Sequence, residues 1–307
     1  MTNWHILGVG AIGSLWACYL EKSGHQVELL FKNRQVLEQY QSLGGLTLVH
    51  GSRAETLVVE GSDATAGGTD INNLLITTKA HQTTAALEAC GHRIGEQCRF
   101  LLLQNGMGIA ERISELYSGR VLFCGVTTDG AFCPEPFTVV HAGTGRTDIG
   151  AFRHPGDPRE VLDLLSSTGM DIHPCQDIEA RQWQKLALNC AINGLTVIYH
   201  CRNGDLLKHN QAKQRIAVLC DEIKQVGARL GHGAWMADLY EKTENVLRAT
   251  AANYNSMYQD VEHCRRTEID YLNGYLLQQA KKLGIACPEN QKLYDEIKQK
   301  EKELGCR

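Results

Sequence analysis

The 307-residue chain predicts an α/β amino-terminal domain followed by an all-α carboxy-terminal domain. Up to about residue 175, short apolar segments alternate with amphipathic ones, which is typical of a parallel sheet covered by helices. From residue 176 onward, apolar residues recur at helical spacing and no segment has a clear strand pattern. We therefore expect one domain at residues 1–175 and another at 176–307, a division that suits the chain length.

The composition excludes several functional classes. Hydrophobic residues make up 43% of the chain and charged residues 21%, so it can bury a sizeable core. The net charge of -4 argues against a general nucleic-acid binder. Apolar runs are too short to span a membrane, and the first residues do not resemble a signal peptide. We therefore expect a cytoplasmic protein without nucleic-acid or membrane partners.

The chain has 12 cysteines and 12 histidines, and neither set shows a recognisable pattern. No cysteine pair has C-x-x-C spacing, and a disulfide framework is typical of small secreted chains. We interpret most cysteines as small buried hydrophobic residues in a reducing compartment. The histidines lack the spacing of a ligand set, so we predict no metal.

A glycine-rich motif lies between the first predicted strand and the first predicted helix. It reads GVGAIG and comprises Gly8, Gly10, Ala11, Ile12 and Gly13. Gly8 allows a tight turn, Gly10 lets a pyrophosphate approach the backbone, and Gly13 lets helix pack on strand. The motif alone is weak evidence, but a helix and a second strand, QVELLF, follow it. The sequence therefore predicts a Rossmann-type, dinucleotide-binding domain.

The end of the second strand indicates which dinucleotide binds. An Asp or Glu at this position usually holds the ribose 2′-hydroxyl of NAD. Here the chain has Lys32, Asn33 and Arg34, while Glu28 lies earlier, inside the strand. Cations suit a 2′-phosphate, so we predict NADP(H) with Lys32 as a ligand. The alternative is a solvated loop with two ordinary cations.

Two later strands lead into polar side chains. Residues 73–78 are followed by Lys79, and residues 100–103 lead into Asn105. Because strand carboxyl ends face the ligand crevice in open α/β sheets, we expect Lys79 and Asn105 near cofactor and substrate. The alternative for Asn105 is a plain turn, since Asn-Gly is a turn sequence.

The rest of the first domain gives weaker signals. Residues 35–70 look irregular, with short candidate strands at 46–49 and 56–60. Residues 121–126 predict a strand, and residues 137–149 predict strand structure with hairpin character.

The second domain begins with a helix predicted over residues 178–199. Lys185, Asn189 and Asn193 recur every four residues and therefore form a row along it. Asn is a poor helix former, so two of them in mid-helix favour contact with a small polar substrate. The alternative is a solvated polar stripe. Further helices are predicted at about 209–230, 234–251, about 258–283 and 289–303.

Two further stretches carry candidate site residues. Asn253 and Ser256 are three apart, which would place them on one side of a helix. Glu268 lies near Arg265, Arg266 and Asp270, so it is either a site carboxylate or part of a structural salt bridge. With a nicotinamide cofactor, this set suits carbonyl reduction: Lys185 can hold the developing oxyanion and supply its proton, while the amides orient the substrate.

Seven segments of the chain resemble the ketopantoate reductase family. They are GVGAIG, TTKAHQT, QNGMG, WQKLALNCAINGLT, CRNGDL, NYNSMYQD and RTEIDYLNGYL. They occur in the family's order over essentially the whole chain, and the later ones are far more specific than the glycine motif.

The resemblance implies NADPH-dependent reduction of 2-dehydropantoate to (R)-pantoate in pantothenate and coenzyme A synthesis, with substrate in a cleft between the two domains. It implies Lys185 as general acid and Glu268 as a partner of a substrate hydroxyl that also lies near the cofactor. It places Asn105 and Lys79 near cofactor and substrate, and Lys32 at the 2′-phosphate. The implied substrate-pocket residues are Asn189, Asn193, Asn203, Asn253 and Ser256. A monomer or homodimer is expected.

The sequence departs from the family pattern at three positions. Gly194 stands where Pro is expected, Gln104 where His is frequent, and Asp129 where a less acidic residue is expected. Two alternatives therefore stay open: a related 2-keto-acid reductase with a different acyl substrate, and a non-catalytic NADPH-binding sensor.

Overall fold

The computed structural model describes residues 3–153 and 156–306, which pack as two compact units. The first contains Met1–Gln104 and Ile109–Glu179, and the second contains Asn105–Gly108 and Ala180–Arg307. The predicted fold class, an α/β region followed by a helical one, is confirmed. The segment Asn105–Gly108, which the sequence assigns to the first domain, groups with the helices. The functional division at residues 175 and 176 stays a prediction.

The first unit contains two sheets. Its described strands are β1 (Asn3–Leu7), β2 (Gln26–Phe31), β3 (Leu46–His50), β4 (Arg53–Leu57), β5 (Glu60–Asp63), β6 (Ile71–Ile76), β7 (Ile94–Leu102), β8 (Leu122–Thr127), β9 (Gly130–Glu135), β10 (Thr138–Gly143), β11 (Thr147–Ala151) and β12 (Ile172–Pro174). The larger sheet has the order β12-β11-β8-β7-β6-β1-β2-β5, and the smaller has the order β4-β3-β10-β9. In the larger sheet only the β8–β11 pair is antiparallel.

Helices cover the larger sheet and bury its central strands. The described helices of this unit are α1 (Ala11–Lys22), α2 (Arg34–Ser42), α3 (Ala80–Cys90), α4 (Ile109–Leu116) and α5 (Arg159–Leu165). Trp4 and Ile6 of β1, Leu75 of β6 and Trp16 of α1 belong to one buried apolar cluster. Strands buried on both faces read as near-continuous apolar runs, which is why β1, β6 and β8 are evident in the sequence.

Three local predictions for this unit are wrong. Residues 137–149 are not one hairpin, because β10 pairs with β9 in the small sheet while β11 joins β8 in the large one. The candidate strand at 56–60 is divided between β4 and β5. The irregular region contains α2, whose Tyr40 is buried and donates a hydrogen bond to the Val59 carbonyl at 2.6 Å. Such a short amphipathic helix depends on tertiary packing more than on its own propensity.

The second unit is helical. Its elements are α6 (Ile178–Ile198), which begins two residues before the unit does, α7 (Asn210–Arg229), α8 (Gly233–Met236), α9 (Leu239–Ala249), α10 (Ser256–Glu262), α11 (Asn273–Leu283) and α12 (Pro288–Glu303), with 3₁₀ helices at Asn203–Lys208 and Ile269–Tyr271. None of the helices in the described parts of the chain is both long and apolar enough to cross a membrane.

The helix predicted at 258–283 is broken in the structure. After α10, Cys264 takes a left-handed conformation with φ of 50°, and the Arg265 amide bonds back to the Asp260 carbonyl at 2.8 Å. The Thr267 amide and hydroxyl both donate to the Glu301 carboxylate, at 2.7 and 2.6 Å. These hydrogen bonds take the place of helical hydrogen bonds that do not form here. Glu268 therefore lies on a turn that Glu301 holds in place, and not on an α-helix. The helix predicted at 234–251 is likewise divided into α8 and α9.

A buried polar network anchors α6 to three other helices. The Glu222 carboxylate on α7 accepts hydrogen bonds from the Glu289 and Asn290 amides at the start of α12, at 2.8 and 2.9 Å. A carboxylate here satisfies free N–H groups and favours the helix dipole. The Asn290 side chain then accepts from Asn273, which also donates to the Cys190 carbonyl on α6 at 3.2 Å. These hydrogen bonds therefore connect α6, the helix that carries Lys185, to α11, and through α11 to α12 and α7.

Candidate active site

The glycine loop of the first unit has the shape of a pyrophosphate cradle. Gly8 has φ of 109°, and a side chain there would collide with the backbone of Thr78. A side chain at Gly13 would collide with the Gly8 carbonyl, whereas the space beside Gly10 is open within 4 Å. Gly10 is the N-cap of α1 and no side chain caps the helix there. The loop from Gly8 to Gly13, with Ala11 and Ile12 opening the first turn, therefore fits a dinucleotide phosphate.

The tip of β2 presents Lys32 as an exposed cation. Its neighbours have local partners: Asn33 caps α2 by accepting from the Val36 amide at 3.0 Å, and Arg34 pairs with Glu38 at 2.8 Å. Lys32 takes part in neither of these two local contacts, unlike Asn33 and Arg34.

Glu28, the carboxylate on the same strand, forms hydrogen bonds and ion pairs inside the first unit. Its oxygens lie 3.1 Å from His5 and 2.8 Å from Arg93, and it also accepts from Ser62 and Thr69. Burial raises the pKa of Glu28, but hydrogen bonds from His5, Ser62 and Arg93 outweigh it and hold the pKa well below its usual range. Glu28 is thus a structural anion, and its contacts with His5 and Arg93 make it a poor candidate for a ribose ligand.

The carboxyl end of β6 leads into Lys79, which is half-buried and immediately precedes α3. The Gln104 side chain donates to the Thr78 carbonyl at 2.6 Å and to the Thr83 hydroxyl, and that hydroxyl donates to the Lys79 carbonyl at 3.2 Å. Gln104, one of the departures from the family pattern, therefore holds the segment that carries Lys79.

Asp129, another departure, is also occupied structurally. Its buried carboxylate accepts from the Thr127 hydroxyl at 2.9 Å and the Gly145 amide at 2.9 Å, and lies 3.1 Å from His141. The other His141 ring nitrogen lies 2.9 Å from the Tyr19 hydroxyl. These contacts assign Asp129 a role in joining α1 to the small sheet.

The second unit contains a small pocket. It is lined by Asn105, Asn193, Ser256, Met257, Asp260, Glu268 and Leu272. Four of these residues were predicted from the sequence: Asn105, Asn193, Ser256 and Glu268. Sequence reasoning missed Asp260, although it follows Ser256 by four residues within the NYNSMYQD segment and so lies on the same side of α10. Asp260 is buried and pairs with Arg265 at 3.1 Å.

Asn105 reaches this pocket because its loop packs on the turn that follows Glu268. The Met107 amide donates to the Tyr271 carbonyl at 2.9 Å. Gly106 has φ of 80°, and a side chain at that position would lie 2.6 Å from the same carbonyl oxygen. The two glycines around Met107 are therefore needed for close approach and not only for a turn.

Lys185 is the titratable group most changed by this environment. It is half-buried on α6, and burial lowers its pKa to about 8, while the negative charge of Glu268 acts in the opposite direction. The pKa of Lys185 therefore lies near neutral pH, where an ammonium can both donate a hydrogen bond and release its proton.

Glu268 is held by its neighbours along the chain. Thr267 is fixed by Glu301, as described above, and Asp270 accepts from Arg266 at 2.9 Å and from Tyr294 at 2.7 Å. The nearby arginines pair with Asp260 and Asp270, as described for Arg265 and Arg266. Arg265 and Arg266 thus form salt bridges with Asp260 and Asp270, and Glu268 lines the pocket.

Lys185 and the remaining predicted residues of the second unit lie outside the pocket lining. Asn189 is half-buried on α6, between Lys185 and Asn193 in the row. Asn203 is buried and its amide bonds to Thr250 and Asn255 at 2.9 and 3.1 Å, which favours a positioning role over the predicted substrate contact.

Asn253 is exposed, and its carbonyl accepts from the Asn203 amide at 3.0 Å. The expectation that Asn253 and Ser256 share a helical side is wrong, because α10 begins only at Ser256. No cluster of three or more His, Cys, Asp or Glu that could hold a metal ion occurs in residues 3–153 and 156–306.

Replacing Glu268 should change the titration of Lys185. In Glu268→Gln the opposing negative charge is lost, so the pKa of Lys185 should fall below about 8. NMR titration of lysine-labelled protein measures this directly, and the signal missing from Lys185→Ala assigns the resonance. An unchanged Lys185 pKa in Glu268→Gln would contradict the electrostatic contact.

Comparison with known proteins places the chain in a family. A family model described as ketopantoate reductase PanE/ApbA matches residues 4–154, and one described as ketopantoate reductase PanE/ApbA C terminal matches residues 177–301. A relative named 2-dehydropantoate 2-reductase, from Escherichia coli O157:H7, is 37% identical over 299 residues, covering 97% of this chain and 95% of that protein.

Solved structures extend this similarity. A ternary structure of D-mandelate dehydrogenase with NADH and anilino(oxo)acetate has a TM-score of 0.92 at 25% identity, covering 99% of each chain. The probable 2-dehydropantoate 2-reductase of Bacillus subtilis has a TM-score of 0.81 at 27% identity, covering 98% of this chain and all of that one. The resemblance inferred from the sequence motifs is confirmed, and the chain belongs to the ketopantoate reductase family.

Proposed function

We propose that this protein is an NADPH-dependent 2-dehydropantoate 2-reductase that converts ketopantoate to (R)-pantoate for pantothenate and coenzyme A synthesis. The observation that carries the proposal is the Lys185 ammonium, whose pKa is about 8 and which interacts electrostatically with Glu268, a residue of the pocket lining. The names of the most similar relatives support the same reaction.

The first unit binds the cofactor in this proposal. Gly8, Gly10 and Gly13 shape the loop, and the N–H groups at Ala11 and Ile12 face the pyrophosphate. Lys32 neutralises the 2′-phosphate, and Lys79 lies at the strand end that faces the nicotinamide half. NADPH, when bound, supplies a hydride to the keto carbon of the substrate.

Lys185 supplies the other half of the reduction. Its ammonium donates a hydrogen bond to the keto oxygen, and this bond strengthens as negative charge develops there. The proton then passes from the lysine Nζ to that oxygen, completing the hydroxyl group. A pKa near 8 keeps the lysine largely protonated at neutral pH and still able to give up the proton.

Glu268 and the amides orient the substrate. Glu268 accepts a hydrogen bond from the substrate hydroxyl and keeps the pKa of Lys185 from falling further. Asn105, Asn193 and Ser256 donate to the substrate carboxylate and hydroxyl. Met257 and Leu272 pack against its methyl groups.

The other predicted residues support this arrangement. Asn189 lies between Lys185 and Asn193 in the row on α6, while Asn203 and Asn253 hold the loop around Ser256. We assign cofactor binding to residues 1–175 and substrate binding and catalysis to residues 176–307. We also infer a cytoplasmic enzyme, monomeric or homodimeric, whose partner is a small molecule and neither nucleic acid nor membrane.

The similarity to D-mandelate dehydrogenase favours a second candidate function. That protein was solved with NADH and anilino(oxo)acetate, and its fold matches over 99% of this chain. A reductase of another 2-oxo acid would keep Lys185 and Glu268 and differ in the apolar lining. Lys32 favours the first candidate, because an NADH enzyme has no 2′-phosphate to neutralise.

Turnover with NADPH separates the candidates. We expect kcat/KM for ketopantoate to exceed that for 2-oxoisovalerate and for phenylglyoxylate, and preference for either of these would favour the second candidate.

Lys185→Ala should lower kcat/KM by about three orders of magnitude, since both oxyanion stabilisation and proton donation are lost. NADPH binding should persist. The exposed Lys224 on α7 provides the control variant Lys224→Ala, which should retain wild-type kinetics.

Cofactor choice provides a separate prediction. Lys32→Ala should weaken NADPH binding by about tenfold and NADH binding much less, because only NADPH carries the 2′-phosphate. Fluorescence titration of each cofactor measures this. Lys22→Ala removes the same charge from an exposed position paired with Glu55 and should affect neither cofactor. Equal weakening of NADPH and NADH by Lys32→Ala would assign the 2′-phosphate to other groups.

A further inference from the structure

We propose that Asn255 is a positioning residue that sets the spacing between Ser256 and Asn193 in the substrate pocket. The inference rests on the proposed function, since it concerns binding of the 2-oxo acid. Asn255 does not line the pocket itself, whereas its neighbour Ser256 does.

Asn255 connects three separate elements through one side chain. Its Oδ1 accepts from the Tyr258 amide at 3.1 Å, which caps α10 one residue before Ser256. Its Nδ2 donates to the Thr196 hydroxyl on α6 at 2.7 Å and to the Asn203 Oδ1 at 3.1 Å. The start of α10 is thereby fixed to α6 and to the 3₁₀ helix that begins at Asn203.

The contact with Thr196 leads directly to the other pocket amide. Thr196 is fully buried, and its hydroxyl donates to the Asn193 carbonyl at 2.9 Å. That hydroxyl has one proton, so its oxygen is free to accept from Asn255. A two-bond path therefore joins the residue before Ser256 to the backbone of Asn193.

The contact with Asn203 makes this connection rigid. The Asn203 side chain donates to Thr250 at 2.9 Å, and its backbone amide donates to the Asn253 carbonyl at 3.0 Å. The loop that precedes Ser256 is consequently held from both sides. This gives Asn203, whose own amide is consumed by these bonds, a part in shaping the pocket without touching substrate.

Helix capping alone does not require asparagine at this position. Ser, Thr and Asp cap a helix as well as Asn does, but each offers one N–H or O–H donor at most. Asn255 uses its oxygen for the cap and its amide nitrogen for two bridges. A substitution that keeps the cap and removes the bridges therefore isolates the positioning role.

The resulting alignment should govern substrate affinity more than the chemical step. Ser256 and Asn193 lie on different elements, and a shift of about 1 Å between two substrate contacts is costly. Lys185 lies about three helical turns from Thr196 on α6 and is anchored separately by the Glu222 network. Loss of the bridges should thus raise KM for the 2-oxo acid more than it lowers kcat.

The test compares Asn255→Ser, Thr196→Val and the double variant, with Thr243→Val as the control. Serine keeps an oxygen for the cap and adds no charge near an anionic substrate. Thr243 is also fully buried in this unit, and its hydroxyl donates to the Leu239 carbonyl at 2.8 Å, so Thr243→Val makes the same chemical change outside the pocket. We measure kcat, KM for ketopantoate, the Kd for NADPH and the thermal midpoint of each protein.

We expect each of the two single variants to raise KM by about tenfold, with kcat lowered less and the Kd for NADPH unchanged. The double variant should also show about a tenfold rise, because both substitutions break one connection. Thr243→Val should lower the thermal midpoint by a similar amount without raising KM.

Three results would overturn the proposal: a KM in Asn255→Ser no higher than in Thr243→Val, a kcat loss larger than the KM rise, or multiplication of the two effects to about a hundredfold. The kinetics of the wild-type protein distinguish failure of this inference from failure of the proposed function. If the wild-type protein reduces no 2-oxo acid, the proposed function fails and the inference fails with it. If the wild-type protein is active and the variants behave like the control, the inference alone fails.

Discussion

The protonation state of Lys185 depends on two opposing effects. Burial on α6 lowers the pKa of its ammonium group to about 8, and the Glu268 carboxylate limits the decrease. Without the carboxylate, the pKa of Lys185 would fall further, so a smaller fraction of the lysine would be protonated and able to donate a proton. Without the burial, its proton would be held too tightly to transfer well. The catalytic competence that we propose therefore depends on holding Glu268 at a fixed position relative to Lys185.

Hydrogen bonds within the helical unit hold both Glu268 and Lys185 in place. Glu268 follows Thr267, whose amide and hydroxyl both donate to the Glu301 carboxylate, and the Asn105 loop packs on the same turn through the Tyr271 carbonyl. Lys185 is fixed from the other side, since Asn273 ties the Cys190 carbonyl to Asn290 and Glu222. Hydrogen bonds between buried polar side chains, such as those of Asn273, Asn290 and Glu222, hold the helices that they join at defined positions.

The sequence predicted the elements whose signal is local. The glycine loop, the buried strands and the row of Lys185, Asn189 and Asn193 all follow from short-range spacing. The break before Glu268 was not predictable, because RTEIDYL contains neither Gly nor Pro and the competing partner, Glu301, lies 34 positions from Thr267. The same reason explains the missed role of Asn255, whose bridges reach Thr196 and Asn203 more than 50 positions away. Asp260 could have been predicted as a pocket residue, because it lies four residues, or about one helical turn, after Ser256.

The pH dependence of kcat/KM, measured in both directions, tests the role of Lys185 most directly. With saturating NADPH, kcat/KM for ketopantoate should be constant at low pH and fall as pH rises through about 8, because the reduction needs the protonated lysine. Oxidation of pantoate needs the neutral amine, so its kcat/KM should rise through the same pKa. A reduction profile that stays flat from about pH 6 to about pH 10 would contradict the assignment of Lys185 as the proton donor.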